Sequence, residues 1–352
     1  MCKFASFTIP VETGRIRLRK KQFTTLLAII FLVGFSASRA MSAGRPAPPN
    51  LFNIGDSIGE GEAADGTIGA KRHGSVWSTG YDSGDIVYSL NERFETIDPT
   101  GFCENNAVRD AVFNHANSGA EMDDFADQAE EIIAAAATTP SGKVGKVAIL
   151  LGGNDVCADS LEEMTPPDQF ELLYRAGLDV LANSSVTQNA YIHVSSIPAI
   201  YWLWASMRGN DWCRLVAWPF VPCQNLLAKP ENDCGVGGSH LDPDVIHPDD
   251  GLNCRRRKIF HARIRDVYNP ILKRVLTEYK SDGRLPNAYY TDIFNYYFDD
   301  TLVNGGDCFH PSVAGHAALA GEQWCQSPWG RFDPSCGHPI SLPWLPLLLL
   351  GE

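Results

Sequence analysis

The run Gly55-Asp56-Ser57-Ile58-Gly59 places a serine directly after an apolar stretch, Leu51 to Ile54. Gly152-Gly153-Asn154-Asp155 follows a second apolar run, and Asp307-Cys308-Phe309-His310 lies much further along the chain. A serine hydroxyl is a poor nucleophile at neutral pH and needs an adjacent base. The three segments supply a hydroxyl, an amide donor, and a carboxylate three residues before an imidazole. Together these are the parts of a serine hydrolase.

The chemistry predicts a role for each of these side chains. His310 is the candidate base for Ser57, and Asp307 would hold the other ring nitrogen of His310 and stabilise the imidazolium. The predicted oxyanion hole combines the backbone N–H groups of Ser57 and Gly119 with the side-chain amide of Asn154. This chemistry requires no metal and no organic cofactor. Each residue alone also fits a structural role, as a helix cap or a turn residue.

The same serine segment satisfies the Gly-x-Ser-x-Gly pattern of the α/β-hydrolase nucleophile elbow. That fold builds several strands and an oxyanion loop before its serine. Here only residues 41–56 of the expected mature chain precede Ser57. The α/β-hydrolase histidine also lies on a loop well after its acid, whereas Asp307 and His310 are three positions apart. Position along the chain therefore argues against the α/β-hydrolase fold.

Residues 50–326 resemble the GDSL, or SGNH, hydrolase family, whose site residues lie in four short blocks of sequence. The blocks here are Gly55-Asp56-Ser57, Asn117 to Ala120, Gly152 to Asp155, and Asp307 to His310, with Ile58 where the family usually has leucine. Gly-Gly-Asn-Asp-Val-Cys and Asp-Cys-Phe-His-Pro-Ser are most similar to the phospholipase B-like branch. The resemblance implies a serine esterase or lipase that works through an acyl-enzyme on lipid or phospholipid acyl esters.

Two other functions stay open at this point. The nearest enzyme alternative is a carbohydrate O-acetyl esterase, because the same kind of site handles acetyl groups on polysaccharides. The alternative from a different class is a catalytically silent module that holds lipid or glycan. The expected partner is thus a small-molecule or lipid ester substrate.

Apolar runs alternate with helical patterns along the proposed hydrolase domain. This alternation predicts an α/β three-layer sandwich of about five parallel strands, and the resemblance implies its flavodoxin-like SGNH form. Strands are expected at 51–54, 111–113, 146–151, 190–194 and 288–290, and helices at 121–137, 168–181, 259–279 and 313–324. We expect His193 to be a core histidine, and His316 a core or surface one.

Residues 200–257 interrupt the alternation with a segment rich in Trp, Pro, Gly, Asp and Cys. An ordered loop of this length tends to be functional. Because loops after the carboxyl ends of strands line the ligand crevice of a doubly wound sheet, Trp202, Trp204, Trp212 and Trp218 are candidate substrate contacts. The alternative is that these tryptophans form the private core of a disulfide-tied subdomain.

Residues 1–40 predict a secretory signal peptide. Basic residues precede the apolar run Leu26 to Phe35, and Ser38-Arg39-Ala40 offers small residues to a signal peptidase. The run is too short for a spanning helix, and an uncleaved membrane anchor is the alternative. Residues 41–50 would be a Pro-rich spacer and 327–352 a tail, too Pro-broken for a stable membrane anchor. The expected location is secreted or periplasmic.

Charge and cysteine content restrict the partners and the compartment. The formal net charge is −13, and removing residues 1–40 leaves −19, which argues against nucleic acid and anionic membrane surfaces. The nine cysteines beyond the signal imply up to four disulfides and one left-over thiol in an oxidising compartment. The cluster Cys213 to Cys254 is expected to tie its own loop. No Cys-x-x-Cys pair supports a zinc site.

Overall fold

The computed structural model describes residues 45–105, 113–228 and 234–337. Its sheet holds four parallel strands in the order β1-β2-β3-β4, namely β1 Leu51–Gly55, β2 Lys146–Leu150, β3 Tyr191–Ser195 and β4 Tyr289–Thr291. Every residue of β1 and β2 is buried, as expected of a parallel sheet covered on both faces. The α/β fold with a parallel sheet is therefore confirmed.

Some predicted segments lie outside the described residues. These are the signal peptide, the apolar part of the C-terminal tail, and all but Phe113 of the strand expected at 111–113. Next to Phe113, Asn114 forms an isolated parallel bridge with Asn53 of β1.

Ten α-helices surround the sheet in the described part of the chain. They are α1 Ser57–Glu60, α2 Leu90–Ile97, α3 Phe125–Ala136, α4 Gly153–Val156, α5 Pro167–Asn183, α6 Ile200–Met207, α7 Gln224–Leu227, α8 Leu252–Arg263, α9 Asn269–Ser281 and α10 Val313–Cys325. Short 3₁₀ turns lie at His73–Ser75, Met122–Asp124, Trp218–Phe220, Val236–Gly238, Gly330–Phe332 and Pro334–Cys336, and π-helical turns at Cys213–Ala217 and Ile264–Tyr268.

Alternating residues of the strands pack into two separate hydrophobic cores, one on each face of the sheet. On β1, Phe52 and Ile54 point to the larger core, whereas Leu51 packs into the smaller core with Trp77 and Phe94. This division follows from the two-residue period of a strand. Helices α3 and α5 cover the larger core, and α2 and α10 cover the smaller one. The result is the expected three-layer arrangement.

The packing of α3 on α5 shows how close the helices approach. Phe170, Tyr174, Leu178 and Leu181 of α5 are buried, and Tyr174 stacks on Phe125 of α3 with ring centroids 5.9 Å apart. A Cβ at Gly177 would lie only 2.1 Å from the Phe125 ring. The glycine therefore permits this contact, and any side chain there would push the two helices apart.

The described residues of the segment 200–257 are mostly helical rather than irregular, which corrects the expectation from its composition. It contains α6, the π-helical turn Cys213–Ala217, α7 and the start of α8. Helix α6 reads Ile-Tyr-Trp-Leu-Trp-Ala-Ser-Met and is apolar on nearly all sides. A helix buried on most of its surface carries no amphipathic pattern, which is why the sequence did not reveal it.

Four disulfides join described cysteines: Cys157–Cys223, Cys213–Cys308, Cys234–Cys254 and Cys325–Cys336. Cys234–Cys254 closes a loop inside the 200–257 segment, as expected of the cluster, whereas Cys213 and Cys223 pair with cysteines outside it. The other two bonds of the segment tie it to the rest of the domain. The described residues include no free cysteine, which also corrects the expected left-over thiol.

Lys146, at the start of β2, is fully buried. Its Nζ lies 3.2 Å from His193 Nδ1 and donates to the Tyr289 hydroxyl at 2.5 Å. Burial lowers the pKa of Lys146 well below its ordinary value. Burial and the neighbouring Lys146 also lower the pKa of His193. His193 is buried and its Nε2 lies 2.8 Å from the Thr291 hydroxyl, so it is a hydrogen-bonded core histidine, as predicted.

The buried Lys146 predicts a pH-dependent stability. Between its lowered pKa in the folded state and the ordinary lysine pKa of about 10.4, the unfolded chain binds a proton that the folded chain lacks. Raising the pH through this window therefore stabilises the wild type. Urea denaturation gives the free energy of unfolding of both proteins. We expect the value for Lys146→Met minus the value for wild type to decrease between pH 7 and 10. Exposed Lys143→Met is the control; an equal pH-dependent difference there would contradict this explanation.

No helix in the described ranges combines the length and the apolar composition needed to cross a membrane.

Candidate active site

Ser57 lies where β1 passes into α1, at the carboxyl edge of the sheet. Asp56 caps α1 by accepting a hydrogen bond from Ile58 N at 2.9 Å. Gln128 of α3 holds the end of the strand, because its amide accepts from Gly55 N at 2.9 Å and donates to Gly55 O at 3.0 Å. These bonds fix the backbone on the N-terminal side of Ser57. Sequence patterns did not indicate Gln128, which lies 73 residues from Gly55.

His310 comes within hydrogen-bond distance of both Ser57 and Asp307. Its Nε2 is 2.8 Å from Ser57 Oγ, and its Nδ1 is 2.7 Å from Asp307 Oδ2. All three side chains are buried, with a small exposed part. An imidazole in this position can accept the serine proton at one nitrogen while the carboxylate holds the other.

The loop that carries Asp307 and His310 is closed on itself. Val303 and Pro311 form an antiparallel bridge at its base, and Asn304 N donates to His310 O at 3.0 Å. Asn304 Nδ2 also donates to Asp307 Oδ1 at 2.6 Å. Asn304 was not among the predicted site residues, although the turn-forming run Asn-Gly-Gly-Asp was a possible signal.

The two oxygens of Asp307 have different partners. Oδ1 accepts from Asn304 and from the backbone N–H groups of Phe309 and His310, which leaves Oδ2 for the imidazole. Burial would raise the pKa of Asp307. Two effects outweigh burial: the hydrogen bond and charge of the His310 side chain, and the hydrogen bonds from the backbone N–H groups of Phe309 and His310. The pKa of Asp307 is therefore lowered, and the carboxylate is charged at neutral pH.

Asn154 lies in α4, just after β2, and is the third predicted element. The preceding Gly152 has φ +104°, and a Cβ there would approach Ile197 and Phe170 at 3.0 and 3.1 Å. Only glycine fits this backbone. Asn154 Nδ2 donates to Ala120 O at 2.9 Å, which uses one of the two amide hydrogens. Asp155 accepts from Met122 N at 2.8 Å, consistent with a structural role.

Gly119 lies in a turn that is bonded to the serine segment. Asn117 N donates to Gly55 O at 3.0 Å, and Gly119 has φ +83°. Glu60 of α1 accepts from Ser118 N at 2.8 Å and from Ser118 Oγ at 2.5 Å. The buried Glu60 thus joins the helix that begins at Ser57 to the residue before Gly119. No pattern in the sequence indicated this role of Glu60.

Ser57, Asn154 and His310 line one cavity. The remaining wall is mainly apolar and includes Ile58, Leu150, Ile200, Leu203, Phe298, Val303, Phe309 and Leu319. Asp56 lies at the same wall, and burial raises its pKa to about 6. Among the described side chains, no group of three His, Cys, Asp or Glu residues could hold a metal ion.

The four candidate tryptophans lie outside the wall of this cavity. Trp204 is buried under the Arg257 guanidinium, 4.2 Å from the ring centroid, and Trp202 packs on Tyr297 at 5.3 Å. Trp212 Nε1 donates to Gly306 O at 3.0 Å, and the buried Trp218 Nε1 donates to Cys308 O at 2.8 Å. The segment reaches the cavity instead through the aliphatic side chains of α6, Ile200 and Leu203.

Comparison with known proteins identifies the family of the chain. A family model described as GDSL-like Lipase/Acylhydrolase matches residues 51–322, which is most of the chain. No curated protein matches the sequence significantly. The matched range begins at β1 and ends within α10, so it includes the serine turn, the Asn154 helix and the histidine loop. The chain belongs to the GDSL-like lipase/acylhydrolase family and is a serine ester hydrolase.

Proposed function

We propose that Ser57, His310 and Asp307 are the catalytic triad of this ester hydrolase, and that it cleaves acyl esters of lipids. The observation that carries this proposal is the continuous hydrogen-bonded row from Ser57 Oγ through the imidazole to Asp307, at the wall of an apolar cavity.

In the proposed reaction Ser57 Oγ attacks the carbonyl carbon of the ester while His310 Nε2 accepts its proton. The tetrahedral intermediate then expels the alcohol, which takes the proton from His310, and leaves an acyl-enzyme on Ser57. Water, deprotonated by the same nitrogen, attacks the acyl-enzyme; the bond between the acyl carbon and Ser57 Oγ then breaks, Ser57 Oγ takes the proton back from His310, and the carboxylic acid is released. Asp307 keeps Nδ1 protonated and stabilises the imidazolium in both halves.

The oxyanion of each intermediate would be held by Ser57 N, Gly119 N and Asn154 Nδ2. The bonds from Glu60 to Ser118 and from Asn154 to Ala120 support this assignment, because they fix both neighbours of Gly119 relative to the serine helix and α4. Preorganised donors of this kind need no rearrangement when the charge develops.

Replacing Asn154 with alanine tests the oxyanion assignment. We expect kcat to fall about 10²- to 10³-fold, with KM nearly unchanged, because the donor acts on charge that exists only in the transition state. Steady-state kinetics with a short-chain ester measure this. Gln224→Ala, which removes an amide from an exposed residue of the insertion, is the control. An Asn154→Ala enzyme with unchanged kcat would remove Asn154 from the oxyanion hole.

The apolar wall next to Ser57 supports an acyl chain rather than a sugar ring as the bound group. The family model does not distinguish the branches of the family. The proposal of a lipid substrate therefore rests on this apolar wall and on the resemblance of the sequence to the phospholipase B-like branch. Burying a methylene group is worth about 0.8 kcal/mol, or roughly fourfold in kcat/KM. We therefore expect kcat/KM to rise from acetyl to longer p-nitrophenyl esters until the cavity is full.

Leu203 gives this expectation a matched pair of variants. Leu203→Ala should lower kcat/KM for octanoyl esters and leave acetyl esters nearly unaffected, because Leu203 lines the cavity. Leu172→Ala removes an exposed leucine of α5 and should change neither. A strong preference for the acetyl ester in the wild type would instead favour a carbohydrate O-acetyl esterase.

We also propose that the protein is exported and loses residues 1–40. The four disulfides between described cysteines support an oxidising compartment. N-terminal sequencing of the protein recovered from the medium or periplasm tests this; an intact N-terminus on cell-associated protein would contradict it.

A further inference from the structure

We propose that Trp212, Trp218 and the Cys213–Cys308 disulfide are positioning elements, which hold the Asp307–His310 loop at the distance from Ser57 that proton transfer needs. This inference rests on the proposed triad and gives the 200–257 segment a function other than direct substrate contact.

The loop makes three links to one short stretch of that segment, residues 212–218. Cys308, between Asp307 and His310, is bonded to Cys213. Its backbone carbonyl accepts from Trp218 Nε1 at 2.8 Å. The carbonyl of Gly306, on the other side of Asp307, accepts from Trp212 Nε1 at 3.0 Å. The carbonyl groups of the two residues that flank the acid are therefore held from outside the loop.

The loop backbone needs such support. Cys308 has φ +55°, a left-handed conformation that is unfavourable for a residue with a side chain. Such conformations persist when surrounding bonds over-determine them. The bonds inside the loop orient Asp307 toward His310, but they do not fix the loop against the serine helix. The links from residues 212–218 constrain the loop from outside.

The same segment is also tied to the proposed oxyanion side of the site. Cys157 directly follows α4 as its C-cap residue, and its disulfide to Cys223 connects α4, which carries Asn154, to the segment. The segment thus bridges the histidine loop and the Asn154 helix through two disulfides. Trp218, between the two bonded cysteines in sequence, is fully buried.

Trp218→Phe is the first test, because phenylalanine keeps an aromatic ring and removes the N–H donor. A displacement of about 1 Å at a reacting group can cost about a hundredfold in rate. We expect kcat to fall about tenfold or more, with KM changed less than about threefold. The matched control is Trp77→Phe, another fully buried tryptophan whose Nε1 has no hydrogen-bond partner among the described residues. It should keep wild-type kcat.

Two further variants guard against a folding defect in Trp218→Phe. Trp212→Phe changes a half-exposed side chain and removes the bond to Gly306. The double variant Cys213→Ala/Cys308→Ala removes the covalent link. Both are expected to lower kcat several-fold with near-native circular dichroism. Wild-type kcat in Trp212→Phe, in the double cysteine variant and in any folded Trp218→Phe would overturn the proposal.

A double-mutant cycle separates positioning from general destabilisation. If Trp218 acts through the Asp307–His310 pair, its substitution should have almost no further effect on kcat in an Asp307→Asn background. Full additivity of the two effects would overturn the positioning role. Failure of the triad itself has a different signature, since Ser57→Ala would then remain active.

Discussion

Substituting Ser57 with alanine is expected to lower kcat by about a millionfold while the protein remains folded. The residue supplies the only covalent bond to the substrate in the proposed acyl-enzyme, and His310 Nε2 loses the hydroxyl that lies 2.8 Å away. The backbone should tolerate alanine, because Asp56, not Ser57, caps the helix through its side chain. Initial rates with p-nitrophenyl butyrate and thermal unfolding of the same samples measure the two parts of this expectation.

The control for Ser57→Ala is Ser185→Ala, which removes an exposed hydroxyl. It should keep the activity of the wild type. A folded Ser57→Ala protein that retains more than about a thousandth of wild-type kcat would show that another nucleophile does the chemistry.

Asp307→Asn is expected to lower kcat by about 10⁴-fold. The Asp307 pKa is lowered, so the wild-type side chain is a carboxylate throughout the neutral range and accepts a hydrogen bond from the protonated Nδ1 of His310. An asparagine amide can donate to Nδ1, which leaves the proton on Nε2 and prevents this nitrogen from acting as the base. Activity assays at pH 7 to 9 measure the loss.

Asp300→Asn provides the control for charge, because it removes a carboxylate from an exposed residue. It should leave kcat unchanged. Equal activity of Asp307→Asn and wild type would mean that a different group orients His310, and the proposed triad would have the wrong acid.

The segments that form the site could be predicted from the sequence because the patterns that mark them are local. The serine, Asn154 and the Asp307–His310 pair each follow a strand or lie in one short turn, and the strands are continuous apolar runs. Parallel strands bring their carboxyl ends to one edge, so three distant segments meet there.

Other features depend on contacts that no local pattern reveals. Gln128 bonds to Gly55 and Glu60 bonds to Ser118 across long sequence separations. Disulfide pairing is set by the folded arrangement. The tryptophans suggested an aromatic substrate groove, but composition alone does not tell a ring that faces ligand from one whose N–H holds a backbone carbonyl, as Trp218 does.

Labelling with a fluorophosphonate, followed by mass spectrometry of the digested protein, tests the central claim most directly. We expect one adduct on the wild type, at the peptide that contains Ser57, and much slower labelling of His310→Gln, because the reagent requires an activated hydroxyl. Stoichiometric labelling at a different residue, or a folded, esterase-active protein that stays unlabelled at Ser57, would contradict the account.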